Sequence, residues 1–433
     1  IMIFNNLLNL INNSYTFSKK KIRFLYLSSN IYNRKITSSI INSLEYYPSP
    51  NLLDSLIKYN KKKVNIENYS LKKIWNNKEL NKKDYKNLNS FFWLFSLDLR
   101  SSKKDTQNVI LQWIDKNYRY DSKSWEIDIV AKRIIAWTSN SRLTYEDGNS
   151  HYKNKFNAII KKQINHLINE IEGSEWVDDK MIGCAAIILT GLSYKDQYLK
   201  TGLNLLRKLA KFSFDNDGFP KSRNIRQLCF YLKYFILIRE WFRESQNEIP
   251  DFINENIYYL GQAYAFCWQN NKVDLLFNGS YETNNVDFDH YLKKLGYSFK
   301  NQNNELGGYT ALNGKKTSLI MDVGSSPDKK FSSNYQAGAL SFEIITNGKK
   351  LICNSGYFQN YNHQLNELSK SSAIHSTLIL DDRSSCKFNK TKNKSSEISQ
   401  GLKILKKNII FEKNYWKINA AHDGYLKQYG IIH

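Results

Sequence analysis

The stretch Gly307–Asp382 decides the fold of this chain, and three of its segments read GGYTALNGKKTSLIMDVG (307–324), NYQAGALSFEIITNGKKLICNSGYF (334–358) and KSSAIHSTLILDD (370–382). The first two alternate in polarity and contain Asn313-Gly314 and Asn347-Gly348. Asn-Gly supplies the positive φ angles of a two-residue hairpin. The chain before about Lys300 has a helical pattern, so we expect any chemistry where the helical and sheet halves meet.

The region after residue 307 is predicted to be an antiparallel sandwich, because short strands follow one another closely. Leu340, Phe342 and Ile344 alternate with polar or branched neighbours, including Glu343, as in a half-buried strand. The predicted strands are Tyr309–Leu312, Thr317–Asp322, Ala339–Thr346, Lys350–Asn354, Thr377–Leu380, Gly401–Lys406, Ile409–Phe411 and Trp416–His422.

The region from Asn51 to about Leu295 is predicted to be a series of amphipathic helices, with apolar residues recurring at three- and four-residue spacing. Short polar connections favour antiparallel helix neighbours, in a solenoid or a closed toroid, and the lack of a fixed repeat weakens the solenoid. The predicted helices are Thr106–Lys116, Trp125–Thr138, Tyr152–Glu172, Lys180–Leu192, Asp196–Phe212, Arg226–Phe242, Pro250–Gln269 and Asp287–Leu295.

The composition indicates a folded chain of two or three domains, with 433 residues, 41% hydrophobic content and a net charge of +23. The charge predicts attraction to a polyanion such as an acidic polysaccharide, although a coding bias towards Lys, Asn, Ile and Tyr explains it equally well. We find no nucleic-acid-binding module and no apolar run of the roughly 18 residues that a membrane helix needs. We therefore predict no nucleic-acid partner and no transmembrane segment.

The five cysteines are far apart and contain no Cys-x-x-Cys pair, so neither a disulfide framework nor a thiolate zinc site is predicted. The chain begins Ile1-Met2 and ends inside a predicted strand, and we expect it to be a fragment. Its first residues lack the basic start and cleavage site of an export signal.

The segments GALSFEI (338–344), NGKKLICNSG (347–356) and SSAIHSTLILDDRSS (371–385) resemble the carboxyl-terminal sheet domain of heparinase II/III-like proteins. That family contains polysaccharide lyases that act on acidic sugars. The resemblance implies an incomplete α/α toroid followed by an antiparallel β-sandwich. We divide the chain into a lead-in of uncertain structure (1–50), a helical toroid-like domain (51–300) and a β-sandwich truncated at its carboxyl end (301–433). The resemblance also implies the bacterial periplasm or cell envelope, with a cytoplasmic location left open because no signal peptide is visible.

The resemblance places candidate residues in the sheet half. The family carries two histidines just before GALSFEI, and this chain has Asn334 and Gln336 there. The family's metal set would map to Asn354 and His375, with a structural zinc or calcium ion as the implied cofactor. With the glutamine at the position of the family's metal-holding histidine, the set is Gln, Asn and His, which is poor for zinc, so the competing interpretation is a buried His375 that donates to a backbone carbonyl.

In the helical half, the family's catalytic Tyr position is occupied by Gln227, and Tyr231 lies one turn further along the same helix. The loop where the family has an Asn, and often a His, falls at residues 176–181. There Asp178 and Asp179 are expected to cap a helix that begins at Lys180.

Together these positions form a polar, basic set that predicts either an anion-binding cleft or a solvated face. Arginine would bind a carboxylate or sulfate by paired hydrogen bonds. The candidate catalytic residues are Gln227, Tyr231, Asn334 and Gln336, and the candidate substrate-binding residues are Arg223, Asn224, Arg226 and Lys370.

Three functions are compatible with these residues. The first is a lyase that cuts an acidic polysaccharide by β-elimination, with Arg223 and Gln227 facing Gln336 and His375 across one groove. The second is a catalytically degenerate anionic-glycan-binding protein of the cell envelope. The third is a toroidal glycoside hydrolase, which needs two facing carboxylates and for which Asp178, Asp179 and Asp217 are the candidates.

Overall fold

The computed structural model describes residues 18–37, 43–53, 80–269, 272–283, 286–389, 396–412 and 415–433. The chain forms two compact units. The first contains the chain up to Arg207 together with Glu240–Glu248, and the second contains Lys208–Arg239 and Ile249–His433. The domain boundaries at residues 50 and 300 stay a prediction.

Helices dominate the described residues as far as Lys294, and each predicted helix is present with its ends displaced by a few residues. Residues 18–27 are also helical. The helices are Asn30–Ile36, Lys82–Ser90, Lys103–Asn117, Ile127–Ser139, Ser141–Thr144, Ser150–Glu170, Val177–Tyr194, Tyr198–Ser213, Ile225–Glu244, Asp251–Tyr264, Val286–Lys294, Gln364–Leu368 and Leu426–Tyr429. Among the described residues, no helix combines the length and the apolar character required to cross a bilayer.

The helix Ser150–Glu170 shows why these sequences fold as predicted. The side chain of Asn149 accepts a hydrogen bond from the Tyr152 backbone N–H and so caps the first turn. Ile160, Ile164 and Leu167 recur at helical spacing and are fully buried. The apolar stripe therefore forms the inner face of the helix.

The first unit has an aromatic core that contains one buried arginine. The rings of Phe91, Trp113 and Trp137 meet edge to face, with centroids 5.1 to 6.1 Å apart. The guanidinium of Arg133 is fully buried and lies over the Trp113 ring at 3.9 Å. It donates to the carbonyls of Asn89 and Ser124 and to the Gln163 side chain. Burial lowers the Arg133 pKa below its ordinary value.

The second unit contains an antiparallel sheet of five strands in the order β1-β2-β3-β4-β5 and two separate hairpins. In the sheet, Tyr309 pairs with Asp322 across β2 and β3. The strands are β1 Glu305–Leu306, β2 Tyr309–Asn313, β3 Thr317–Asp322, β4 Phe342–Thr346, β5 Lys349–Ile352, β6 Lys387–Asn389, β7 Glu397–Gln400, β8 Ile404–Phe411 and β9 Trp416–His422. The pairs β6–β7 and β8–β9 form the hairpins.

One of the two predicted Asn-Gly turns is confirmed. Asn347 and Gly348 have φ angles of 51° and 73° and join β4 directly to β5, as a two-residue turn requires. Asn313 instead stays in β2 and pairs with Ser318, and Gly314 donates to the Thr317 carbonyl. Because β2 continues through Asn313 and β3 begins at Thr317, the connection is residues 314–316, one residue longer than a two-residue turn.

The predicted strand Thr377–Leu380 is wrong. In this described segment only Leu380 makes a strand-like bridge, to Arg383. The Thr377 hydroxyl donates to the Ala339 carbonyl and the Ser376 hydroxyl to the Phe342 carbonyl, so side chains rather than a backbone ladder attach the segment to β4 and to the turn before it.

The strand β4 turns Glu343 and Ile345 inward, whereas Phe342 and Ile344 are only partly buried. Glu343 is fully buried, and its Oε1 accepts the backbone N–H groups of Leu276 and Asn354, each at 3.1 Å, which stabilise the buried carboxylate. Burial raises the Glu343 pKa, and Lys350 lies 3.4 Å away. Alternation of polarity did not identify this buried carboxylate, because its partners lie in other segments.

Candidate functional site

The start of the helix Ile225–Glu244 holds four of the predicted site residues. Asn224 is buried, and its Oδ1 accepts the backbone N–H of Gln227 at 3.1 Å, which caps the helix. The Gln227 side chain accepts the Ser222 hydroxyl at 2.6 Å. Gln227 and Arg226 are partly exposed. Arg223, which precedes the cap, has a left-handed φ of 59°.

The Arg223 side chain is buried, and all five of its N–H donors have acceptors within the second unit. Burial by itself lowers the Arg223 pKa, but the Asp322 carboxylate raises it above its ordinary value. A Cβ at Gly324 would lie 2.5 Å from the Arg223 Cζ, so glycine leaves the space that the guanidinium fills. The acceptors are the carbonyls of Gly307, Gly308, Gly324 and Ser325 at 3.0 to 3.2 Å and Asp322 Oδ1 at 2.6 Å. The guanidinium therefore supports the local architecture, with no N–H left for a ligand.

A buried hydrogen-bond network extends from Asp322 to Gln336. Asn278 Nδ2 donates to Asp322 Oδ2 at 3.0 Å and to the Tyr309 hydroxyl at 2.7 Å. The Tyr309 hydroxyl in turn donates to the Arg223 carbonyl at 2.6 Å. Asn278 Oδ1 accepts the Gln336 backbone N–H at 3.4 Å. This network connects segments that carry the candidate residues of both the helices and the sheet.

Three predicted amides meet around Gly279, and we call Asn224, Asn334 and Gln336 the amide cluster. Gln336 Oε1 accepts the Gly279 N–H at 3.0 Å. A Cβ at Gly279, whose φ is 79°, would lie 2.4 Å from Asn224 Nδ2 and 2.9 Å from Asn334 Cβ. Asn334 is partly exposed, whereas Asn224 and Gln336 are buried. The structure thus brings these three together, with Asn334 nearest to solvent.

Two other candidates lie in buried surroundings. Tyr231 is 1% exposed, and its ring packs edge-on against Phe214 at 5.0 Å. Lys370 is 2% exposed and donates to the carbonyls of Ser333 and Ser396. Burial lowers the Lys370 pKa to about 7. Because Ser333 immediately precedes Asn334, the amine supports the segment that bears the amide cluster.

His375 and Asn354 lie together, as the sequence predicted for a metal site. His375 Nδ1 is 3.2 Å from Asn354 Oδ1, which also accepts the Ser376 N–H at 3.2 Å. This contact assigns the proton of the neutral ring to Nδ1, which donates to a side-chain oxygen, and the ring also makes a backbone hydrogen bond with Ser369. Burial lowers the His375 pKa to about 4.

These donors do not fit a metal ion. Asn354 Oδ1 already accepts two hydrogen bonds, and the nearby Glu343 carboxylate is held by the backbone N–H groups of Leu276 and Asn354. Across the described ranges, no group of three or more His, Cys, Asp or Glu side chains is placed to bind a metal. A zinc or calcium ion would need additional charged ligands.

The candidate carboxylates of a hydrolase lie in two different units. Asp178 and Asp179 belong to the first turn of the helix Val177–Tyr194, whose N-cap is Trp176, so the prediction that they cap a helix starting at Lys180 is wrong. Burial, together with Asp128 and Asp178, raises the Asp179 pKa to about 7. Asp217 belongs to the second unit, where its backbone N–H donates to Asp215 Oδ1.

A cavity of about 320 Å³ lies beside Arg223, within the second unit. Asp215, Lys221 and Asp328 contribute its charged groups, and Gly307, Gly308 and Gly324 contribute backbone walls. The cavity was not predictable from the sequence, because residues about 100 positions apart line it.

Comparisons with known proteins agree with this architecture. Residues 302–433 match the family model described as Heparinase II/III-like, C-terminal. No curated protein matches the chain by sequence. Similar solved structures are a heparinase III (TM-score 0.53, 86% of this chain and 72% of that one) and a heparan sulfate lyase HepC mutant from Pedobacter heparinus (0.57, 82% and 61%). A heparinase III gene product with methylated lysines is also similar (0.55, 86% and 67%), and each of the three is 14% identical to this chain.

Residues 302–433 match the predicted family, and the similar solved structures support the predicted fold class. The fold, helical first and then antiparallel sheet, is that of an incomplete α/α toroid followed by a β-sandwich. The chain spans between 61% and 72% of the length of the three similar structures.

Proposed function

We propose that this heparinase II/III-like protein binds an acidic, uronate-containing polysaccharide of the glycosaminoglycan type and cleaves it by β-elimination. The observation that carries the proposal is the convergence of Asn224, Asn334 and Gln336 around Gly279, in a chain of net charge +23. The similarity to a heparan sulfate lyase makes heparan sulfate the first substrate to test.

Asn334, the partly exposed member of the amide cluster, suits one part of β-elimination, whereas Nε2 of the buried Gln336 donates to the carbonyls of Gly356 and Ser369. When a base removes the proton beside the uronate carboxyl group, charge accumulates on that carboxyl group, and neutral N–H donors stabilise it. Asn334 is partly exposed and has the donors for this role, and Arg226 and Gln227 lie on the exposed start of the neighbouring helix. Amides do not titrate near neutral pH, so proton transfer requires another group.

A specific observation favours a second candidate function, binding without cleavage. His375 is 9% and Lys370 2% exposed, and each makes hydrogen bonds inside the protein. All donors of Arg223 are also used internally. A scaffold that keeps its amides but buries its imidazole and amine would retain the glycan without breaking it.

One assay separates these functions. The protein is incubated with heparan sulfate, hyaluronate and alginate while the ultraviolet absorbance of unsaturated uronate ends is followed. The lyase proposal predicts an increase that Asn334→Ala reduces at least tenfold and that Lys329→Ala, an exposed substitution five residues away, leaves unchanged. Retention on immobilised polysaccharide without absorbance supports binding alone, and new reducing ends without absorbance indicate hydrolysis.

Three further assignments belong to this proposal. The helical domain extends over residues 51–300 and the sandwich over 301–433, which limited proteolysis followed by mass spectrometry can test.

The protein resides in the periplasm or cell envelope, where acidic polysaccharides are accessible. Fractionation of the native host with an antibody against the chain would contradict this location if the protein stayed in the cytosol.

A further inference from the structure

Three residues other than glycine adopt left-handed backbone conformations in the segments that surround the amide cluster. Arg223, Asn278 and Leu340 have φ angles of 59°, 35° and 60°. Such conformations cost free energy for residues with a side chain, and they persist where surrounding contacts enforce them. The three residues lie far apart in the sequence, so a common contact must act through the tertiary structure.

Asp322 makes that common contact. Its Oδ1 accepts Arg223 Nη2 at 2.6 Å, and its Oδ2 accepts Asn278 Nδ2 at 3.0 Å. Its backbone carbonyl accepts the Leu340 N–H at 2.8 Å. Asp322 is 1% exposed and stands at the end of β3, where it pairs with Tyr309. One residue on a regular strand thus holds all three strained positions.

Each strained position adjoins part of the amide cluster. Arg223 precedes Asn224, and Asn278 precedes Gly279 and accepts the Gln336 backbone N–H. Leu340 follows Gln336 by four residues, and the intervening Gly338 packs against the His375 ring. A shift of any one segment would therefore separate the amides.

We propose that Asp322 is a positioning residue that holds the segments at Arg223, Asn278 and Leu340 together and thereby assembles the amide cluster for an acidic sugar. The proposal rests on the proposed function for its ligand but not for its geometry. The Tyr309 hydroxyl reinforces the same assembly, since it bridges Asn278 Nδ2 and the Arg223 carbonyl.

The test compares Asp322→Asn with Asp289→Asn. Asp289 is a second buried aspartate of the same unit, 8% exposed, and it accepts from Tyr264, Trp268 and Lys272. It has no hydrogen bond to the three strained positions, so it controls for the general effect of neutralising a buried carboxylate. Hydrogen exchange of peptides around residues 223, 278 and 340 is measured together with affinity for a heparan sulfate oligosaccharide.

The expected result for Asp322→Asn is exchange at least tenfold faster around residues 223 and 278, whose side chains contact the carboxylate, and an affinity at least tenfold weaker. Exchange around residue 340 should change less, because the Leu340 N–H is bonded to the Asp322 backbone carbonyl, which the substitution retains. Asp289→Asn should speed exchange near residues 264–272 and keep the affinity within twofold. Independent behaviour of the peptides around residues 223 and 278, or unchanged affinity despite their opening, would overturn the proposal.

A second variant covers the case in which Asp322→Asn does not fold, and the exchange data cover the case in which the protein binds no polysaccharide. If Asp322→Asn does not fold, Tyr309→Phe removes only the bridging hydroxyl and leaves both contacts of the Asp322 carboxylate in place. Exchange at residues 223 and 278 should then rise less than tenfold, and full opening of both would assign the coupling to Tyr309 and overturn the role of Asp322. If the unaltered protein binds no polysaccharide, the proposed function fails, and the exchange data alone decide whether the Asp322 carboxylate couples the segments at Arg223 and Asn278.

Discussion

The two units each bury an arginine, but different groups accept the hydrogen bonds of the two guanidinium groups. Arg133 of the first unit is surrounded by carbonyl and amide oxygens and the Trp113 ring, and its pKa is lowered by burial. Arg223 of the second unit adds the Asp322 carboxylate, which raises its pKa against the effect of burial. Neutral dipoles alone hold the guanidinium of Arg133 within a regular helical core. The Arg223–Asp322 charge pair lies beside strained backbone and the amide cluster. The difference is that a buried carboxylate also holds Arg223.

The largest expected effect comes from removing each arginine in turn. Arg223→Met leaves the Asp322 carboxylate buried without its cation, and breaking one side of a buried pair costs about 3–5 kcal/mol. Arg133→Met leaves only neutral oxygens without donors, which costs about 1–3 kcal/mol. Urea denaturation of both variants measures the two free energies of unfolding. An Arg133→Met cost equal to or above that of Arg223→Met would refute the distinction.

A glycine pair tests the packing around the amide cluster. Gly279 and Gly296 both have left-handed φ angles, 79° and 82°, but a Cβ at Gly296 would have no neighbour within 4 Å. Both alanine variants therefore carry the conformational cost of about 1 kcal/mol, and Gly279→Ala adds about 1–2 kcal/mol of steric conflict with Asn224 and Asn334. Thermal denaturation gives the stabilities, and heparan sulfate affinity should fall only for Gly279→Ala. Equal behaviour of the two variants would show that the cluster is not tightly packed.

The buried imidazole predicts a pH effect in the second unit. The His375 pKa is about 4 in the folded protein and about 6.5 in an unfolded chain. Its contribution to stability is therefore present above pH 6.5 and is lost as the pH falls towards 4. His375→Gln should remove about 1–2 kcal/mol of that loss, after discounting for solvent screening. Denaturation at pH 7 and pH 4.5 checks this, and an unaltered acid dependence would count against the buried neutral ring.

The smallest effect is expected from a carboxylate of the first unit. The Asp179 pKa is about 7 in the folded protein and about 3.9 unfolded, so its stabilising contribution is complete below pH 4 and is lost as the pH rises to 7. Asp179→Asn should raise the free energy of unfolding at pH 8 by about 1 kcal/mol, since part of the shift is screened by solvent. Asp178→Asn is the matched neighbour and should have less effect. A less stable Asp179→Asn variant at pH 8 would contradict this assignment.

Local regularities in the sequence predicted much of the fold. The apolar stripe of Ser150–Glu170 and the Asn347-Gly348 turn depend on residues a few positions apart, and both are present. The candidate site was predictable only in part. Asn224, Asn334 and Gln336 were found through their resemblance to family positions, whereas Asp322 and Glu343 looked like ordinary strand residues.

The sequence by itself predicted most of the helices and strands and the order of helices before sheet, because periodicity and turn chemistry act over short distances along the chain. The family match of residues 302–433 was anticipated from the resemblance of three short segments. Only the tertiary structure decided that Arg223 is saturated, that Glu343 points inward and that Asp322 joins three distant segments. Hydrogen bonds such as Arg223–Asp322 span 99 positions, and their partners become neighbours only when the chain has folded.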